Sequence, residues 1–218
     1  PVGKAFQINK TTEGSQGSPH VVALEGGGFA VSWTNEAPLG SGHNDSDIHV
    51  RVFSNTGTPV SGEKVASVDD PTPGSTADDN LSSSITALAG GGFAVMWSVG
   101  LGVKVDAQIF TAAGAKSGGV KQIVDDLLFM PNIAQLASGD VVTVNGWGNE
   151  VTVRLSGPGL DDAPSGVSGA TAPVERALTG TTGKSKERPD VAALAGGGFV
   201  VVYAEEGAGS VGRLGIDV

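Results

Sequence analysis

The sequence predicts an all-β fold, and three observations carry that prediction. A glycine-centred motif recurs along the chain, the apolar stretches beside it are short and β-branched, and one repeat is divided between the two ends. Four blocks align without gaps: Pro19–Trp33 (PHVVALEGGGFAVSW), Ser83–Trp97 (SSITALAGGGFAVMW), Pro131–Asn145 (PNIAQLASGDVVTVN) and Pro189–Tyr203 (PDVAALAGGGFVVVY). In each, an apolar stretch ends in leucine, a small glycine-rich tetrapeptide follows, and a second apolar stretch begins. Glycine adopts positive φ without steric cost, so the tetrapeptide reads as a hairpin turn between two strands. The Val, Ile and Phe content on either side, in runs of this length, favours strand over helix.

A second hairpin follows each block. In the first copy it is Ile48–Phe53, a turn at Ser54–Gly57, and Pro59–Ala66. In the second it is Val105–Phe110, a turn around Gly114, and Gly119–Ile123. The third copy has Val151–Leu155, a longer Gly/Pro/Asp loop from Ser156, and Pro173–Leu178. Each unit therefore holds four strands, the content of one propeller blade. The fourth copy ends after Val211–Val218, and its missing strand is found at the other end, where Pro1–Phe6 (PVGKAF) matches Pro173–Leu178 (PVERAL). A repeat split in this way is the signature of a closed ring, which leaves no open sheet edge. The expectation is one domain over 1–218, a four-bladed β-propeller with repeats at about 19–67, 83–124, 131–178 and 189–218 plus 1–8. A β-sandwich or open β array accommodates the strands but not the permutation.

Composition narrows the function classes. With no cysteine, the chain has no disulfide, thiol nucleophile or Cys-based metal site. A formal charge of −10 opposes nucleic acid and anionic membrane as partners. No apolar run approaches the ~20 residues of a membrane span. No signal peptide is visible and the chain begins at Pro1, which suggests a processed or excised piece of a longer protein.

Phe29, Val31 and Trp33 share one strand face, as do Phe93, Val95 and Trp97, and Phe199, Val201 and Tyr203. A sugar-stacking surface is one reading; packing between adjacent blades is the favoured one. Asn145 breaks the series, and Trp147, two residues on, falls on the same face. Arg51, Gln108, Arg154 and Arg213 recur at third-strand positions, where hydrogen bonding within the scaffold is favoured over anion binding.

Function belongs where the copies differ. The insertions are Asn35–Asp47, Val68–Asn80 and Gly157–Ala172, loops by composition on a rigid ring. His43, Asn44, Asp45 and Asp47, with Trp147, form the candidate ligand-binding set. Asp45, Asp47, Asp78 and Asp79 are candidate metal ligands, calcium being the cation that clustered oxygens suit. Solvated acidic loops are the simpler reading of each cluster. The early polar position of each first strand, His20, Ser84, Asn132 and Asp190, is expected at the mouth of the central channel. Leu127, Leu128, Phe129 and Met130 form an apolar run expected either beneath the ring or as a contact for a neighbouring domain or subunit. No catalytic residues are singled out: there is no triad spacing, no nucleophile elbow and no P-loop, since a strand follows each glycine turn.

The pattern Pro-x-[Val/Ile]-Ala-x-Leu-x-Gly-Gly-Gly-Phe-x-Val-x-[Trp/Tyr], followed by a Gln/Arg-x-Phe strand and a glycine turn, resembles the repeats of large bacterial secreted and cell-surface proteins. These are type I secreted and often RTX-associated. The resemblance covers nearly the whole chain, with copy three departing at Ser138–Asp140 and Asn145. It implies an extracellular or cell-surface location and adhesive or ligand-binding roles, with no catalytic residues to carry over. The calcium-binding nonapeptide itself does not occur. The leading expectation is an extracellular, non-enzymatic module binding a glycan or protein through variable loops on one face. A structural subunit of a surface assembly stands beside it, as does a hydrolase or lyase with carboxylates at the channel mouth.

Overall fold

A computed structural model describes residues 3–36, 46–67, 79–100, 104–125, 129–148, 150–165, 167–178, 185–205 and 211–216, without the side chains of Phe129, Trp147 and 211–216. The described residues form fifteen strands and no helix. They are β1 (Ser15–Ala23), β2 (Phe29–Glu36), β3 (Ser46–Phe53), β4 (Lys64–Val65), β5 (Asn80–Ala87), β6 (Phe93–Val99), β7 (Lys104–Phe110) and β8 (Lys116–Val124). They continue as β9 (Phe129–Gln135), β10 (Val141–Trp147), β11 (Glu150–Ser156), β12 (Val174–Leu178), β13 (Lys186–Ala193), β14 (Phe199–Glu205) and β15 (Val211–Ile216). Every pairing is antiparallel between consecutive strands, giving sheets β1–β4, β5–β8, β9–β12 and β13–β15. These are the four blades of a β-propeller, each coinciding with one sequence repeat. Their first strands pack side by side, β1 on β5, β5 on β9 and β9 on β13.

The first hairpin of each blade closes in one way. The leucine N–H donates to a carbonyl four residues on: Leu24 to Gly28, Leu88 to Gly92, Leu136 to Asp140 and Leu194 to Gly198. The turn residue at Gly27, Gly91, Gly139 and Gly197 has φ of 93°, 93°, 90° and 90°. That single position explains why copy three survives its departure from the motif. Ser138-Gly139-Asp140 keeps glycine where the backbone requires it and changes residues elsewhere.

Between blades lies the core. Leu24, Ala30 and Val50 of blade 1 pack against Phe93, Val95 and Trp97 of blade 2. Leu88, Ala94 and Met96 of blade 2 meet Ile133 and Val141 of blade 3, and Leu136 of blade 3 meets Val191, Phe199 and Tyr203 of blade 4. The aromatic series is therefore interblade packing, with Phe93 stacked on Phe110 and Phe29 on Phe53. The third-strand polar residues tie strands together. Arg51 donates to Ser61 O and Ile8 O, Gln108 to the carbonyls of Ile109, Ser117 and Gly118, and Arg154 to Leu160 O.

Gly3–Ile8, the counterpart of β12, carries no named strand among the described residues, and the described part of the last sheet is three-stranded. The segment lies against the face of blade 1, as Leu178 of β12 lies against blade 4 and Ala66 of blade 1 against blade 2. Phe6 meets the Phe53 ring at 5.7 Å, and Ile8 packs on the Val31–Trp33–Phe53 cluster. Glu63 holds the continuation, accepting from Lys10 N at 2.5 Å, Thr11 N at 3.2 Å and His49 Nδ1 at 2.7 Å. Burial by itself would raise the Glu63 carboxyl. These hydrogen bonds outweigh it and hold the group below its ordinary range.

Candidate binding site at the ring axis

The four first strands share a defect. Pairing with the second strand slips between Gly17 and His20 in β1, Leu81 and Ser84 in β5, and Glu187 and Asp190 in β13; the β9–β10 pairing slips at the corresponding point. At each slip one non-glycine residue sits in the left-handed region: Ser18 (48°), Ser82 (53°), Met130 (53°) and Arg188 (51°). Such a conformation costs on the order of 1 kcal/mol each, and bulges of this kind re-aim side chains beside sites. Here the device recurs in all four blades, and all four bulges open on one cavity.

That cavity has a volume of ≈ 450 Å³. Its lining comprises the bulge residues Ser18, Ser82, Met130 and Arg188, together with Ser83, Pro131 and Pro189, and with His20, Asn132 and Asp190. Three of the four polar positions expected at the channel mouth therefore line one space. The fourth, Ser84, is buried and donates to Asn132 Oδ1 at 2.7 Å. Asn132 Oδ1 also accepts from Ile133 N, and Asp190 Oδ1 accepts from Val191 N at 2.8 Å. Each side chain is thus fixed through one oxygen by the next backbone N–H. This leaves the Asn132 amide N–H groups and Asp190 Oδ2 available to a ligand. His20, Arg188 and Asp190 are exposed to solvent in the cavity.

Three of the bulge residues, Ser18, Ser82 and Arg188, were not singled out by sequence reasoning. Their signal is Pro19, Pro131 and Pro189 inside a strand at one repeat position, because proline within a sheet is confined to edges and bulges. Met130, expected as part of an apolar contact run, lines the axial cavity; Leu127 and Leu128 lie outside the described residues.

The other expected set is described only in part. His43, Asn44, Asp45 and Asp78 lie outside the described residues, as does the side chain of Trp147. Asp47 accepts from Ser67 Oγ at 2.6 Å on β3, and Asp79 precedes β5, its carbonyl accepting from Gly100 N. Among the described residues no three His, Asp or Glu side chains gather to hold a metal ion. The Gly157–Ala172 loop, expected as a variable loop that could carry binding residues, folds back onto the core at its described residues. Leu160 is fully buried in the junction between blades 2 and 3, and Asp140 accepts from Ser165 N and Oγ. Asp161 receives Lys121 Nζ of blade 2 at 2.5 Å, and that contact holds its carboxyl below the ordinary range.

No family model matches the chain, and no curated protein matches it. Among solved structures it is similar to a protein of unknown function from Dyadobacter fermentans, at 13% identity and a TM-score of 0.62 over 89% of this chain. The match spans 51% of that protein, so this chain corresponds to about half its length. It is also similar to an endo-arabinase from Bacteroides thetaiotaomicron, at 11% identity and a TM-score of 0.55, covering all of this chain and 80% of the other. At such identities what is shared is the fold alone, the β-propeller.

Proposed function

We propose that this protein is a non-catalytic, extracellular carbohydrate-binding module whose ligand seats in the axial cavity. The supporting observation is the convergence of four strained bulges on one polar space. Its volume falls within the roughly 300–1,000 Å³ usual for small-ligand sites. Sugar hydroxyls both donate and accept, which suits a lining that mixes Asp190 and Asn132 with Arg188, His20 and serines. The endo-arabinase likeness makes arabinan fragments the first ligands to try. Binding is favoured over hydrolysis because glycosidases flank the scissile bond with two carboxylates roughly 5–10 Å apart. The described lining carries one, Asp190. An acidic, cysteine-free chain resembling secreted repeats fits an extracellular setting.

The test is a screen of immobilised glycans with the wild type and with His20→Ala and Asp190→Asn, alongside an assay for released reducing ends. Saccharide binding that either substitution weakens about tenfold, about 1.4 kcal/mol, without product release, supports the reading. Release of reducing ends would replace it with a hydrolase. Binding indifferent to both substitutions would move the site off the axis.

A further inference from the structure

The repeat makes the four junctions between blades comparable position by position. The leucine that opens each glycine turn packs forward onto the next blade. Leu24 is 7% exposed and Leu88 and Leu136 are each 8%, but Leu194 is 44%. The β-branched residue three positions earlier packs backward. Ile133 is 4% and Val191 8% exposed, and Ile85 packs against the core shared with blade 1, yet Val21 is 67%. No residue of β5 is exposed, whereas β1 exposes Ser15, Ser18–Val21 and Ala23, and β13 exposes Glu187, Arg188, Asp190, Ala192 and Ala193. β1 and β13 are the first strands of blades 1 and 4.

The outer part of the junction of blades 4 and 1 is occupied. Phe6 and Ile8 cover blade 1 there, tied down by Arg51 and Glu63. Its inner part adjoins the axial cavity, since Ser18, His20 and Asp190 line that cavity and are among the exposed residues of β1 and β13. On the blade 1 side, Gly17 and Pro19, which alternate with Ser18 and His20, line a second space of ≈ 150 Å³ with Ile8, Val31 and Trp33.

We infer that the inner junction of blades 4 and 1 is a slot extending the axial site, and that it receives further units of an oligosaccharide chain. The inference rests on the axial cavity being the carbohydrate site. The chemistry of the slot is that of a sugar's two faces. Val21, Ala192 and Leu194 offer apolar surface to pyranose or furanose C–H groups, while His20 and Asp190 stand at the end where hydroxyls need partners. Filling the slot covers apolar surface that the other three junctions bury with protein. Affinity should therefore rise with chain length until the slot is full.

The chain has no cysteine, so single thiols report cleanly on the slot. L194C and V21C should react with a small maleimide at least about a hundredfold faster than L136C, as exposed positions do relative to buried ones. If L194C is as protected as L136C, the junction is closed and the slot does not exist. The second measurement is calorimetric titration with an arabino-disaccharide and an arabino-octasaccharide, on the wild type and on V21W/L194W. Filling the slot should weaken the octasaccharide about tenfold and leave the disaccharide unchanged. Equal affinities for both ligands in both proteins overturn the slot and spare the axial site. Failure of both ligands to bind the wild type overturns the axial reading for this sugar class and the slot with it.

Discussion

Blades 2 and 3 stand side by side in the ring, built on the same turn and the same bulge, and they fill equivalent positions in opposite ways. The face that blade 2 turns to blade 1 is Phe93, Val95 and Trp97, all buried. Blade 3 turns Val141, Thr143 and Asn145 to blade 2, equally buried. Thr143 Oγ1 and both amide atoms of Asn145 are without a hydrogen-bond partner, and so is Ser98 Oγ, which strand alternation places on the facing side of the same junction. Burying such groups unpaired is unfavourable by about 1–3 kcal/mol each. Blade 3 carries a compensation that blade 2 lacks. Its long loop returns Leu160 to the junction and ties itself to Asp140 and Lys121. The ring demands backbone devices of every copy, the left-handed glycine and the bulge, and leaves the packing face negotiable.

Substitutions separate the two packing faces. Trp97→Ala should cost about 3–5 kcal/mol in urea unfolding, whereas Asn145→Ala at the equivalent position should change stability by no more than about 1 kcal/mol. Similar losses would mean that Asn145 is paired through groups such as ordered water. Leu160→Ala should lose about 2–4 kcal/mol although it lies in a Gly/Pro/Asp loop. A change below about 0.5 kcal/mol, the usual surface value, would put the loop outside the core. Thr143→Val removes an unpaired hydroxyl at nearly constant volume and should raise stability by about 1 kcal/mol, seen as a higher urea midpoint.

The smallest effect is the ion pair between the blades. Asp161 has its carboxyl lowered by Lys121, so its contribution is complete above its ordinary value of 3.8 and is lost as pH falls through the lowered one. Because the pair is exposed, Asp161→Asn should cost no more than about 0.5 kcal/mol near neutrality. The gap from wild type should close in strong acid. A gap that persists there would assign the effect to packing instead of charge.

Much of this architecture was legible in the residues. The glycine tetrapeptides and alternating Phe-x-Val-x-Trp strands marked each hairpin, and the copies marked the blades, because turn chemistry and period-two burial are local. Three of the four channel positions were also legible, since a polar residue at one repeat position of a first strand must meet its equivalents at the axis. The shared role of the bulge residues escaped notice because Ser, Ser, Met and Arg share no side-chain chemistry; only the prolines beside them mark the backbone. Leu160 escaped for the opposite reason. A single leucine amid Gly, Pro and Asp carries no periodicity, and its burial depends on where Asp140 anchors the loop. The Gly3–Ile8 segment matched β12 in sequence, and its Phe6 packs on Phe53 of blade 1 as Leu178 of β12 packs in the core of blade 4.

If the four bulges jointly form one ligand site at the axis, a ligand must perturb all four blades together. Backbone amide shifts of the labelled protein, followed by NMR during titration with an arabino-octasaccharide, test it most directly. The account predicts saturable shifts at residues 18–20, 82–84, 130–132 and 188–190, one group from each blade. Shifts confined to a single blade, or spread over the outer strands, would contradict it.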